Sequence, residues 1–280
     1  MEITVLVDNY ILGHKGMFAE HGFSALIKIP DKELTLLFDT GTTDTVFMNN
    51  LRLAGIDPAR IDAVIISHRH YDHTGGLRVF LEARKGKDTV IISHPDLFEP
   101  AYAESRQGGI RYIGNPFRRE ELESLGARFA FTKRPLRIAD GVIVTGEIPR
   151  EWGPSHTGHM LRQGEEGLVE DLLPDDSALV LETPEGLVII TGCGHAGVEN
   201  IVEYAISITG ERRIAGLIGG LHLMGAEGSR INEVVKYLLS KEPAMIAPTH
   251  CTGQKAQAAL ASAFGKKYAV AGVGTVFRFE

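Results

Sequence analysis

Strand-forming runs followed by amphipathic helices occur twice along this 280-residue chain, and that repetition limits its fold more than any single motif. ITVLVDN, FSALIKI and LTLLFDTG open the chain as β-rich runs, the last two flanking the turn residues PDKE as arms of a hairpin. TTDTVFMNNLRLAG reads as a capped helix closed by Gly55, and the strand IDAVIIS, a helix from about Leu77 to Arg84 and the strand TVIISHP follow. The second half repeats the order. LRIADGVIVTGEIP and SALVLETPEGLVIITG read as hairpins, the latter turning at Thr183-Pro184-Glu185-Gly186. Helical periodicity at Val198, Ile201, Val202 and Ala205, then at Ile231, Val234, Val235, Leu238 and Leu239, alternates with the strands IAGLIGG and MIAPTH. The helix QKAQAALASAF leads into a last strand within KYAVAGVGTVFRF. With no linker between the halves, the order predicts an α/β (α+β) αββα sandwich: two mixed sheets face to face, helices on both outer faces, one domain over 1–280. About 96–134, rich in arginine, glycine and aromatics, reads as an irregular insertion, and about 150–176 as a loop-rich segment.

Composition excludes several classes. A net charge of −7 opposes general nucleic-acid binding, which needs a basic face. No apolar stretch approaches the roughly 20 residues that cross a bilayer, and MEITVLVDNY lacks a signal peptide's basic start and long apolar core. Two cysteines, Cys193 and Cys251, are a poor disulfide framework and fit a reducing compartment. The expectation is a cytoplasmic protein acting on a small molecule.

SHRHYDHTGG at 67–76 carries the chemistry. His68 and His70 lie two apart at a strand end, and Asp72 and His73 follow in the turn; neutral imidazoles and carboxylates are ligands for zinc-like cations. The side chains of adjacent Asp72 and His73 diverge, so they can hardly both serve the cation gripped by His68 and His70. The spacing therefore favours two cations, about 3.5–4 Å apart in two-metal sites. Thr74-Gly75-Gly76 is expected to let the backbone turn tightly into the next helix.

This stretch resembles the signature of the metallo-β-lactamase superfamily, whose fold is the αββα sandwich. The resemblance extends over most of the chain: LLFDTG places Asp39 as the carboxylate that supports the metal site, and PTHCTG places His250 as the last histidine ligand. Two departures stand out. Glu147, in VTGEIPR, occupies the slot of a usual third histidine, and Cys193, in ITGCGHAG, that of the usual bridging aspartate, with His195 two residues later. His195 is read as a replacement ligand, with Glu147 and Cys193 as further candidates. VLVDN, EHGFSALI, TGEIPR, TGCGHAGVENI, GGLHL and PTHCTG together resemble the 7,8-dihydropterin-6-methyl-4-(β-D-ribofuranosyl)aminobenzene-5′-phosphate synthase-like subgroup, linked to methanopterin biosynthesis. That resemblance implies two divalent cations, zinc foremost with manganese, iron and magnesium as alternatives. It also implies an anionic substrate bearing phosphate or diphosphate, and either pterin-diphosphate transfer or hydrolysis of a phosphodiester, lactone or thioester. A non-catalytic binding protein on the same fold is the competing class.

Other residues have a plain reading beside the functional one. Asp72, His222 and His94 are candidates to touch substrate or relay protons; for both histidines a hydrogen-bonded core position is the plain alternative. The ITGCGHAG loop can instead be an anion-binding helix start, and Cys193 a small packed thiol. His156 and His159 suit an exposed loop. Arg106, Arg111, Arg118 and Arg119, near Tyr112 and Phe117, offer guanidinium forks and ring faces for a phosphorylated, flat substrate, or are simply solvated.

Overall fold

Alternation along each strand distributes the apolar residues between three cores. In the computed structural model, which describes residues 1–12, 15–105 and 108–280, Leu36 and Phe38 point to one core while Leu37 between them points to another. Leu179 and Leu181 likewise face one way and Val180 the other. This is the period-two pattern of strands covered on both faces.

In chain order the elements are β1 (Glu2–Val7), β2 (Ser24–Ile29), β3 (Leu34–Phe38), α1 (Asp44–Leu53), β4 (Ala63–Ile65), α2 (Tyr71–Thr74), α3 (Leu77–Ala83), β5 (Thr89–Ser93), β6 (Ala101–Glu104) and β7 (Ile110–Tyr112). Then come α4 (Arg119–Ser124), β8 (Ala127–Phe131), β9 (Leu136–Ala139), β10 (Val142–Val144), β11 (Met160–Gly164), β12 (Gly167–Glu170), β13 (Ala178–Thr183) and β14 (Gly186–Thr191). The chain closes with α5 (Val198–Thr209), β15 (Ile214–Gly220), α6 (Gly228–Lys241), β16 (Ile246–Thr249), α7 (Gln254–Phe264) and β17 (Val276–Arg278).

One sheet runs β17-β1-β2-β3-β4-β5-β8 and a second β16-β15-β14-β13-β10-β9. The inner core between them takes Ile3, Ile27, Leu36, Phe38 and Ile65 from the first, and Val144, Leu179, Leu181, Val188 and Ile190 from the second. Phe47, Leu51, Phe80 and Leu81 of α1 and α3 cover the outer face of the first sheet, and Val202, Val234, Leu238 and Leu260 of α5, α6 and α7 that of the second. Each such buried side chain contributes about 1.5–3 kcal/mol. The expected αββα sandwich is thus what the chain forms.

Three expectations change. The two irregular segments pair with each other: β12-β11-β6-β7 form a third, antiparallel sheet, joined by Leu161 opposite Tyr102. The rest of the 96–134 segment supplies α4 and the edge strand β8, parallel to β5. Short, half-exposed strands show little alternation, which is why these segments looked like loops. Gly75 and Gly76 are not needed for an unusual turn, since neither has a positive φ. They are needed for close approach: a Cβ on Gly75 would meet the Thr42 carbonyl oxygen at 1.9 Å, and one on Gly76 that of Thr40 at 2.5 Å. Finally, the last strand shrinks to β17, with Tyr268 and Val273 making only isolated bridges. Among the described residues no helix is long and apolar enough to cross a membrane.

Strands β3, β4 and β5 are parallel neighbours in the first sheet, as are β14, β15 and β16 in the second. Their C-terminal ends carry Asp39, His68, His94, Cys193, His222 and His250. Topology alone therefore gathers most of the candidate residues to one edge.

Candidate metal centre

Cys193 lies at the middle of that edge. Its Sγ is 3.3 Å from His73 Nε2 and 3.2 Å from His250 Nε2, and with Asp72 these form one group of donor atoms lying within 4.8 Å of one another. His68, Cys193 and His195 form a second group, and Cys193, His222 and Cys251 a third. His70 stands beside the second, its Nδ1 3.0 Å from His68 Nε2. The thiol in the aspartate slot is thus common to all three groups, a more central place than the packing role weighed for it.

Backbone geometry delivers these side chains. Asp39, His222 and His250 each sit just past a strand with φ of 57°, 45° and 49°, the left-handed region that non-glycine residues seldom adopt. Such strain persists where surrounding structure imposes it. The halves also meet closely at Gly192, where a Cβ would lie 2.2 Å from Ser67 Oγ and 2.8 Å from Asp39 Oδ2.

Supporting groups fix the rings. Asp39 accepts from Ser67 N and from Ser67 Oγ, each at 2.7 Å, and its Oδ2 lies 2.7 Å from His73 Nδ1. It holds one face of His73 and leaves Nε2 toward Cys193, the carboxylate–histidine arrangement that orients ligands. Asn9 Oδ1 accepts from His250 Nδ1 at 2.9 Å, and Asp8 accepts from the Thr249 hydroxyl and from His250 N. His195 Nδ1 donates to the His156 carbonyl at 3.0 Å. His21 Nε2 lies 3.1 Å from Asp72 Oδ2, its side chain 49% exposed at the mouth.

Charge divides the site. Burial, reinforced by neighbouring imidazoles, holds His68 and His195 well below the usual histidine range. Burial also takes His70 down to about 3. All three are neutral, and the Nε2 atoms of His70 and His195 are buried with no hydrogen-bond partner. An unpartnered buried nitrogen costs about 1–3 kcal/mol. For His73, burial opposes charge but Asp39 and Asp72 outweigh it, raising it to about 9. Burial likewise opposes charge on Asp72, yet His73, His21 and His250 hold it well below the carboxylate range. Neutral imidazoles with free lone pairs, a carboxylate and a thiol converging in a buried edge are a donor set that fits divalent cations.

Among the described residues, His222 alone of the remaining candidates is in a donor group. Glu147 does not join the donor groups: its Oε1 is 2.8 Å from His94 Nε2 and 3.1 Å from Lys133 Nζ, and its side chain is 38% exposed. His94 is the buried partner of that pair and accepts from Asp96 N, the plain reading of a hydrogen-bonded histidine. His222 reaches the site, its ring centroid 4.0 Å from that of His195. Arg111, exposed on β7, lies near the Tyr71 hydroxyl beside Asp72, where its charge opposes the upward push of burial on that hydroxyl. Arg118 and Arg119 stand at α4, along a cleft of about 610 Å³ that Tyr112, Phe117 and Phe131 also line. Arg106 lies outside the described residues. His159 is exposed, whereas His156 is half-buried against Arg230.

Sequence reasoning missed the braces. Arg69, between His68 and His70, is fully buried and pairs with Asp171 and Asp175. Asp8, Asn9 and His21 fall inside VLVDN and EHGFSALI, segments noted only as resemblances, and a lone arginine between two histidines gives no periodic signal.

A metallo-β-lactamase superfamily model matches residues 18–250, and the chain belongs to that superfamily. It is 30% identical over 287 residues to the 7,8-dihydropterin-6-methyl-4-(β-D-ribofuranosyl)-aminobenzene-5′-phosphate synthase of Methanocaldococcus jannaschii, covering 100% of this chain and 97% of that protein. A solved structure described as a metal-dependent hydrolase of the β-lactamase superfamily superposes with a TM-score of 0.81 at 29% identity, covering 100% of this chain and 99% of its own. Zinc-bound PqqB from Methylobacterium extorquens shares the fold, with a TM-score of 0.58 at 13% identity over the whole of both chains.

Proposed function

We propose that this protein is a metal-dependent enzyme acting on a small anionic molecule that bears phosphate or diphosphate, in the manner of a pterin-diphosphate transferase. The observation that carries the reading is the convergence of donors on Cys193: His68 and His195, with His70 beside His68, on one side, Asp72, His73 and His250 on the other. These residues would hold two divalent cations, zinc foremost, which when bound supply Lewis-acid activation and neutralise charge on a leaving phosphate.

The chain's own groups do the rest. Asp39 and Asn9 orient the rings of His73 and His250. His21 connects Asp72 with solvent, so a proton can pass between Asp72 Oδ2 and the exposed imidazole. His222 faces the opposite side of the site, beside His195. Arg111, near Tyr71 at the edge of the third sheet, would pair with a substrate phosphate. Arg118 and Arg119, beside the aromatic walls of their cleft, suit the flat, charged remainder of such a molecule.

The full-length likeness to the hydrolase structure favours a second reading, hydrolysis at the same centre. Metal analysis followed by turnover assays with pterin diphosphates, phosphodiesters, lactones and thioesters tests both. Two cations per chain and pyrophosphate release only when an aromatic amine is supplied support transfer, and release without it supports hydrolysis. Fewer than one cation per chain after reconstitution, or turnover that survives His68→Ala, overturns the proposal.

A further inference from the structure

The only two cysteines of the chain, 58 positions apart, are brought together at this edge. Both are free thiols with 3% of their surface exposed. Cys251 Sγ donates to the Cys193 carbonyl oxygen at 3.1 Å, and the two sulfurs lie within 4.8 Å of each other and of a nitrogen of His222. Gly220 makes the approach feasible: a Cβ there would sit 2.6 Å from Cys251 Sγ and 3.0 Å from Cys193 Cα. Nothing in the proposed reaction uses Cys251.

We propose that Cys193 and Cys251 form an oxidation site, closing to an intramolecular disulfide under a hydroperoxide-class oxidant and thereby withdrawing Cys193 from the donor set. One thiol takes an oxygen from the peroxide to become a sulfenic acid, releasing the peroxide's remainder as an alcohol or water. The other thiol attacks that sulfur, the S–S bond forms and water leaves. Two thiols and one hydroperoxide give one disulfide, one water and one alcohol, or a second water from hydrogen peroxide. The sulfurs must close to about 2.05 Å, and the Cys193 sulfur, once bonded to Cys251, no longer offers the thiolate that a cation needs. Near-complete burial limits access to water-sized oxidants, and a cation on Cys193 protects it. The pair therefore responds in the metal-free chain. Disulfide formation needs only the two thiols; its effect on cation binding rests on the reading of the metal centre given above.

The test treats the full-length chain with hydrogen peroxide, with and without prior zinc loading, and counts thiols after denaturation alongside the intact mass. The expected result is joint loss of both thiols with a mass decrease of two hydrogens, reversed by dithiothreitol and suppressed by zinc. The oxidised chain should bind zinc at least ~10-fold more weakly, the order of effect seen when metal-site groups are disturbed. Cys251→Ser and Cys251→Ala should instead gain oxygen atoms on Cys193, irreversibly by dithiothreitol. Independent oxidation of the two thiols in the native chain, with no disulfide, overturns the proposal. A disulfide that leaves zinc affinity unchanged upholds the oxidation site and removes Cys193 from the donor set, overturning the metal-centre reading instead.

Discussion

The two sides of Cys193 are held in different ways. On the side of Asp72, His73 and His250, the rings themselves are gripped: Asp39 holds His73 and Asn9 holds His250. On the side of His68, His70 and His195, the outward nitrogens of His70 and His195 have no partner, and much of the bracing acts on the backbone. Asp175 accepts from Arg69 N at 2.8 Å, Asp176 accepts from Ala196 N at 2.7 Å and His156 N donates to the His195 carbonyl, while the rings of His195 and His68 are each held at Nδ1, by the His156 carbonyl and by Ser67 Oγ. A bound cation would satisfy the unpartnered Nε2 of His195, so that side has the more to gain from it. The opposite side is shaped by charges already in place.

The largest test of this contrast removes the backbone brace. Arg69→Met leaves Asp171 and Asp175 buried without their cation, and breaking such a pair costs about 3–5 kcal/mol. Urea unfolding should show that loss, and cation affinity should fall on the His68 side first. Equal weakening of both sides would mean that the braces are not separate. Asp39→Asn should give the mirror result. It disturbs a buried group with three partners, and ligand-orienting groups are worth roughly 10–100-fold in metal affinity. Titration with zinc should show the His73 side weakened more than the other, which Asp39 reaches only through Ser67, whose hydroxyl lies 2.9 Å from His68 Nδ1.

A smaller effect comes from pH. Burial and the neighbouring Arg230 guanidinium take His156 down to about 4. Because its folded value is depressed, its contribution to stability is complete above the unfolded value of about 6.5 and is lost as pH falls toward 4. The shift is worth at most about 3 kcal/mol, less with solvent screening. Metal-free protein should therefore lose more stability between those pH values than His156→Gln. Identical pH profiles would show that His156 carries no such linkage.

The contrast also explains what could be read in the sequence. Strands, helices and their order were legible because alternation and helical periodicity record burial, and the run SHRHYDHTGG because its candidate ligands stand next to each other in the chain. Cys193 was legible as a position but not as a centre, since its neighbours His73 and His250 come from 120 and 57 residues away. Glu147 filled the right slot in the sequence yet turned to His94 and Lys133, because a strand-end carboxylate follows the nearest cation when its loop allows it. The third sheet stayed hidden for a similar reason. Its two local hairpins, β6–β7 and β11–β12, meet only through the distant pairing of Leu161 with Tyr102, and its strands are largely exposed, so little apolar patterning is required of them.

The smallest effect expected concerns the mouth, where the two kinds of bracing give way to solvent. His21 touches Asp72 at 3.1 Å and Asn9 at 3.3 Å, but half its side chain is exposed. Exposed ion pairs contribute about 0–1 kcal/mol, so His21→Gln should leave urea stability nearly unchanged. Zinc content should also hold, because His73 keeps Asp39 and His250 keeps Asn9 without it. If His21 carries protons for the reaction, turnover at saturating substrate should fall and its pH profile should lose a limb while KM stays put. A fall in zinc content with no change in the pH profile would instead make His21 a brace, and the gripped side of the site would extend to the surface.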